Sequence, residues 1–341
     1  MALQKMFVMN ILTREPMTNV LSTLDPRIPK WDHLRLVKRN CPTCKSDHVR
    51  QTMERPDSLF VNECDACSTW YVSPAPDQQD LDHFYEKYHQ VYFSQAVVPP
   101  EKVRLPKGPL SRRFWAKKCL SNDLRVSRIS QYMSLQGKRA LDVGCGRGKM
   151  LRLLQEQGAQ VCGVDPDPGA LDYVRACGFE MIWQGSVDDV DGALKFDLIT
   201  LSDVIEHPLD PMGLLLQCAS RLNPGGIIMV WTPNAGHVVV DPERVMFRIH
   251  LEHMQYYCAA SLTSLCKQVG LHVLHTEVHG HPYLDTIRQL NGQGGYPRIL
   301  RGKFAALINQ ISIKIPQIFD NSVMSRVRGS YSLLAILQRS Q

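Results

Sequence analysis

From residue 139 onward the chain alternates short apolar runs with longer amphipathic stretches. Leu141 to Val143, Val161 to Val164, Met181 to Trp183, Phe196 to Leu201, Ile227 to Thr232 and Leu271 to Val278 have the length and apolar content of buried strands. Between them the apolar positions fall at helical spacing. Met150, Leu151, Leu153 and Leu154 share one face of a segment running from Gly148 to Gly158, and Asp167 to Gly178 repeats the arrangement. A turn, Asn223-Pro224-Gly225-Gly226, leads into the fifth apolar run. Strands separated by helices predict an α/β fold: a parallel sheet with helices on both faces and ligands at the carboxyl ends of its strands.

The pattern is different on either side of that alternation. Residues 1–36 show no sustained period and predict an irregular arm, whereas residues 37–76 contain short apolar segments built around cysteine pairs. Residues 77–137 turn helical, through Asp80 to Tyr88 and a basic stretch from Arg104 to Lys118, and predict a bridge or lid. Residues 138–341 carry the alternating core with an insertion at about 280–329. Within the insertion, 298–315 mixes apolar and basic residues with few acids. Such a helix ordinarily packs as a cover, and it also suits contact with a membrane surface or a lipid-linked substrate.

Composition narrows this only slightly. The 341 residues allow one large or two modest domains, and a hydrophobic share of 44% is that of a globular chain. A formal charge of +6 permits an anionic partner without requiring one. No apolar run reaches the roughly eighteen residues of a membrane span, and Met6 to Leu12 lacks the flanks of a secretory signal, so a cytoplasmic location is expected. Eleven cysteines, an odd number scattered through strands and helices, fit reduced thiols better than a disulfide framework.

Four of those cysteines stand apart. Cys41-Pro-Thr-Cys44 and Cys64-Asp-Ala-Cys67 are two C-x-x-C pairs separated by nineteen residues, the spacing of a zinc ribbon in which two turns converge four thiolates on one tetrahedral ion. With all four positions filled by protein sulfur there is no place for water or substrate, so the expected Zn2+ is structural. A redox disulfide is the competing reading, but neither pair has the strand-helix surroundings of a thioredoxin-like motif.

The chemistry concentrates where the first core strand ends. Leu141-Asp142-Val143-Gly144-Cys145-Gly146-Arg147-Gly148 closes an apolar strand with three alternate glycines and opens a helix. A dinucleotide fingerprint, G-x-G-x-x-G, needs glycine at 149, where this chain has Lys149, so a ligand without a pyrophosphate is favoured. Seventeen residues beyond Gly148 the next strand ends in Asp165, placed to accept from a ribose diol. These residues resemble the class I S-adenosylmethionine-dependent methyltransferases, Asp142 to Gly148 matching their first motif and Asp165 their ribose-binding acid. The resemblance implies a Rossmann-like seven-stranded sheet, its last strand, Tyr331 to Leu337, returning antiparallel. It also implies a donor site of Asp142, Gly144, Cys145, Gly146, Gly148, Asp165 and Pro166, with Ser186 and Val187 beside the adenine and Ser202 and Asp203 near the methionyl arm.

For the acceptor, Glu252-His253 followed by Tyr256-Tyr257 resembles the Glu-His-x-x-Tyr-Tyr segment of bacterial deoxysugar C-methyltransferases, which also carry a cysteine-rich zinc module. Val204-Ile205-Glu206-His207 is similar to a segment of ubiquinone-pathway O-methyltransferases. The resemblance implies catalytic roles for His253 as general base, Glu252 and His207, with Tyr92 as a further acceptor-site candidate. The expected acceptor is a small molecule, sugar-like, polyketide-like or lipid-linked, methylated on carbon or oxygen. An RNA-binding or RNA-modifying enzyme is the alternative. It is disfavoured because no basic run is interleaved with stacking aromatics and Asn223-Pro224 leads into glycines instead of an aromatic.

Overall fold

The computed structural model describes residues 29–88, 123–236, 251–279 and 332–339. Residues 1–28, the basic stretch from Arg104 to Lys118, Tyr92 and the 280–329 insertion with its 298–315 segment lie outside them.

The alternating region forms one seven-stranded sheet. Its strands are β4 (Arg139–Val143), β5 (Gln160–Asp165), β6 (Ile182–Gln184), β7 (Phe196–Ser202), β8 (Leu222–Pro233), β10 (Leu271–His279) and β11 (Ser332–Arg339), in the spatial order β10-β11-β8-β7-β4-β5-β6. The pairs β4 with β5, β4 with β7, β5 with β6 and β7 with β8 are parallel. Only β11 runs against its neighbours, wedged antiparallel between β8 and β10, as the resemblance implied. The central strands are buried on both faces, which is why they read as continuous apolar runs; edge strand β10 is buried only at Leu271 and then alternates exposed and half-buried positions.

Local sequence explains the helices that cover the sheet. In α3 (Lys149–Glu156) the residues Met150, Leu151, Leu153 and Leu154 are the buried ones, as their spacing predicts. Asp167 caps α4 (Pro168–Ala176) by accepting from the amides of Gly169 and Ala170, and Pro168 opens its first turn. Asp210 and Pro211 do the same for α5 (Pro211–Ser220). Helix α2 (Leu124–Tyr132), begun by Asp123, lays Val126 and Ile129 on the face of the sheet opposite α6 (Ala259–Gln268). No helix among the described residues is long and apolar enough to cross a membrane.

The cysteine-bearing segment forms a second sheet that the sequence pattern did not predict in full. Strands β1 (Val49–Glu54), β2 (Phe60–Cys64) and β3 (Trp70–Val72) are joined by a fourth, β9 (Gln255–Tyr256), contributed by the segment that carries His253. Leu59, Val61, Trp70, Val72 and Leu81 of the first 88 residues share one buried cluster with Ala235, Met254 and Tyr256 of the core. Two residues are too few to show a hydrophobic period, so no pattern could have announced β9. Helix α1 (Gln78–Glu86), capped by Asp77, follows β3 and buries Leu81 in the same cluster.

Candidate active site

The residues expected to hold the donor assemble at the carboxyl ends of β4, β5 and β7. Gly144 has φ +66°, and a Cβ there would sit 2.6 Å from Val204 Cγ2, so both backbone and neighbour exclude a side chain. Gly146 has φ +48° with open space where a Cβ would be, leaving its backbone accessible. The Gly146 amide donates to Asp165 Oδ2 at 2.8 Å, and the Asp167 amide donates to Oδ1 at 2.9 Å. These two bonds fix the carboxylate and leave a lone pair on each oxygen for a diol. Burial nonetheless raises the Asp165 pKa, partly offset by the same amides. Cys145, between the glycines, turns its thiol into the core beside Gly163, where burial pushes its pKa up; what it offers a ligand is backbone. Pro166 follows Asp165 half-buried.

Asp142 is 2% exposed and accepts from Thr200 Oγ1 at 2.6 Å. Burial is the main cause that pushes its pKa up to about 7; Thr200 and Arg125 oppose the shift and Asp165 adds to it. Asp203 follows β7 in the left-handed region, φ +56°, its amide donating to the Trp231 carbonyl at 2.7 Å. A non-glycine residue held there at a strand end is where backbone strain accompanies sites. Ser202 Oγ is buried without a hydrogen-bond partner among the described residues. Ser186 and Val187 sit beyond β6 in a 3-10 turn. The Ser186 hydroxyl and amide both bond Asp189, and the Val187 side chain is fully buried in the main core. Any contact from Val187 to a ligand is therefore through its backbone.

A second group of polar side chains lies beside them, beyond β7 and β8. Glu206 is 1% exposed and accepts from Thr232 Oγ1 at 2.9 Å through Oε2. Burial first, and the Asp203 charge second, raise its pKa well above the carboxylate range, so it favours the protonated form. His253 Nε2 lies 3.6 Å from Glu252 Oε1 and 4.0 Å from Glu206 Oε1. The His207 and His253 rings meet edge to face at 4.8 Å between centroids. Tyr85 of α1 completes the group, its hydroxyl 2.7 Å from His207 Nδ1 and donating to the Glu252 carbonyl at 3.0 Å. The Glu252-His253 pair and His207, apart in sequence, thus stand together.

Comparison with known proteins bears on the family of the chain. A model of the methyltransferase domain matches residues 114–276. The ubiquinone biosynthesis O-methyltransferase of Coxiella burnetii is 30% identical over 178 residues, which is 48% of this chain and 76% of that protein. This chain belongs to the S-adenosylmethionine-dependent methyltransferases. The enzyme of the same name from Xylella fastidiosa is 36% identical over 167 residues, 45% of this chain and 68% of that one. A solved S-adenosylmethionine-dependent methyltransferase from Mesorhizobium loti overlays 64% of this chain and 100% of its own at 19% identity, with a TM-score of 0.43.

Outside the matched part, this methyltransferase carries its four cysteines as two equivalent knuckles. Lys45 and Ser68, each directly after a C-x-x-C, have φ of +62° and +57°, and their amides bond the Cys41 and Cys64 carbonyls at 2.9 Å. The four sulfurs all lie within 4.8 Å of one another, with Cys41 to Cys67 and Cys44 to Cys64 at 3.5 Å. A tetrahedron with Zn–S of about 2.3 Å has an edge of about 3.8 Å, so the thiols are spaced for such an ion.

Two residues of the methyltransferase site escaped sequence reasoning. Tyr85 was legible only as one of several aromatics at helical spacing, with Tyr92 preferred for the role. Arg125 gave no signal at all. Its guanidinium pairs with Asp123 at 2.8 Å, lies 5.9 Å from the Trp231 ring, and stands within the electrostatic reach of Asp142 and Asp203. An arginine near the start of a helix is ordinarily a surface residue, and only the fold brings this one to the strand ends.

Proposed function

We propose that this enzyme methylates carbon or oxygen of a small-molecule acceptor, with His253 as general base. The observation that carries the reading is the meeting of Glu252, His253, His207 and Tyr85 next to the strand ends where the glycine turn opens. Bound there, S-adenosylmethionine supplies an electrophilic methyl on sulfur and leaves as a neutral thioether. Asp165 accepts from the ribose diol, Gly144, Gly146 and Gly148 with Cys145 line the approach, and Pro166, Ser186 and the Val187 backbone border the nucleoside. Asp142 faces the methionyl ammonium, Ser202 and Asp203 border the methionyl arm, and Arg125 offers a cation to its carboxylate. His253 removes the proton that the acceptor loses as its new bond to methyl forms, Glu252 stabilises the resulting imidazolium, and His207 with Tyr85 orients the acceptor.

The named relatives methylate oxygen in ubiquinone biosynthesis, which supports a small-molecule acceptor. The cysteine module and the Glu-His-x-x-Tyr-Tyr segment support a sugar-like or lipid-linked one. Metabolite masses from a strain lacking the gene decide between them: the missing product and the accumulated precursor should differ by one methylene. A strain with no such pair would count against a small-molecule acceptor.

Two further outcomes are expected. Asp165→Ala should weaken S-adenosylmethionine binding about ten- to a hundredfold, the loss of charge-assisted hydrogen bonds, measured by calorimetry. Unchanged affinity would displace the donor from the glycine turn. Cys41, Cys44, Cys64 and Cys67 should hold one zinc per chain by elemental analysis, and Cys41→Ser with Cys64→Ser should lose it. A metal content that survives both changes places the ion elsewhere.

A further inference from the structure

The backbone that presents His253 is held almost entirely from outside its own segment. Four consecutive carbonyls each accept a hydrogen bond from another element. Leu251 and His253 accept from Arg55 at 2.6 and 2.7 Å, Glu252 accepts from Tyr85 at 3.0 Å, and Met254 accepts from the Val72 amide at 2.9 Å. All four donors belong to residues 55–85, and Arg55 supplies two of them.

Arg55 follows β1 and is fully buried beside Asp57. A guanidinium has five N–H donors, and here each has a partner. Nε donates to Asp57 Oδ1 at 3.0 Å and one Nη2 hydrogen to Oδ2; the others go to Leu251 O, to His253 O and to Tyr256 Oη at 3.0 Å. Asp57 is in turn fixed by Trp31 Nε1 at 3.0 Å. Burying a charge is costly, and a hairpin turn does not need one: the Asp57 side chain already bonds the Leu59 amide across it. What the buried arginine does alone is tie the carbonyls on either side of Glu252 to the cysteine-bearing sheet.

We infer that Arg55 is a positioning residue for methyl transfer, holding the 251–256 backbone so that the His253 imidazole faces Glu252 and Glu206. The cysteine-bearing sheet is then the mould of the acceptor half of the site, and its contribution to catalysis runs through Arg55. This rests on the reading of His253 as the base.

Hydrogen exchange on the full-length chain tests it first without any substitution. The amides of β1, β2 and residues 251–257 should exchange as one cooperative unit, and exchange of 251–257 independently of β1 and β2 overturns the inference. Arg55→Lys, or Asp57→Asn should the lysine variant not fold, should then speed exchange at 251–257 about tenfold or more while β4 to β7 amides stay protected. In the same variants the 13C-labelled His253 ring, assigned by its loss in His253→Ala, should change its chemical shift as its orientation toward Glu252 is lost, with S-adenosylmethionine affinity within about twofold. A folded variant with unchanged exchange and an unchanged His253 ring signal overturns the positioning role. Released exchange and an altered His253 ring signal, together with full activity of His253→Ala, would uphold the clamp and remove only the assignment of the base.

Discussion

His253→Ala should lower turnover about 10²- to 10⁴-fold while leaving the affinity for S-adenosylmethionine within about twofold. The separation follows from position. His253 is 4% exposed in its side chain and faces Glu252 and Glu206 beyond β7 and β8, whereas the groups assigned to the donor's ribose and nucleoside sit at the ends of β4, β5 and β6. With His253 as the proposed base, removing the imidazole takes away proton abstraction and leaves the glycine turn intact. Glu252→Gln should fall between the two, because the amide keeps the shape of the contact but no longer stabilises an imidazolium. Initial-rate kinetics on the identified acceptor and calorimetry with the donor alone separate the effects. Equal losses of turnover and donor affinity would make His253 a packing residue instead.

The alternation of apolar runs and helical faces was enough to place six strands of the sheet, whereas the seventh, β11, and its antiparallel return followed from the family resemblance. It was enough because buried parallel strands leave a composition signal and Asp-Pro or glycine punctuation marks their helices. The proposed donor side has a related origin: Gly144 and Gly146 follow the end of β4 and Asp165 ends the next strand, β5, its neighbour in the sheet, so their spacing carries the geometry. The acceptor side was legible only in part. Glu252 and His253 form a local pair, but the partners that give the pair its surroundings come from distant segments: Tyr85 from α1, Arg55 from the β1–β2 turn, Glu206 from beyond β7. Arg55 illustrates the difficulty most clearly. In the sequence it precedes a proline in a turn, where an arginine is expected to be solvated. It is buried only because Leu251, His253 and Tyr256 arrive some two hundred residues later. Val187 shows the opposite case, a residue assigned to the donor site by position in a motif whose side chain packs into the core.

Asp142→Asn should make the free enzyme more stable at pH 8 and its donor affinity weaker and insensitive to pH. Asp142 is 2% exposed, and burial pushes its pKa up to about 7, against about 3.9 in an unfolded chain. Between those values the native state keeps a proton that the unfolded state has lost, so stability falls as pH rises through the window and levels off above about 7. A difference of about three pKa units corresponds to roughly 4 kcal/mol, an order-of-magnitude figure for a fully buried group. Asparagine carries no such penalty and can still accept from Thr200 Oγ1, the 2.6 Å bond that holds Asp142 in place. Thermal unfolding of the two proteins should therefore converge near pH 4 and separate by several degrees at pH 8. The donor reverses the balance, since an ammonium beside Asp142 favours the ionised carboxylate that folding disfavours. Wild-type affinity for S-adenosylmethionine should accordingly rise with pH up to about 7, a slope absent from Asp142→Asn. Matching slopes in calorimetry would mean that the donor's charge lies elsewhere. A flat wild-type stability profile would mean that Asp142 is ionised without penalty. The expected result makes the buried acid at the end of β4 a liability in the empty enzyme that binding of the donor converts into affinity.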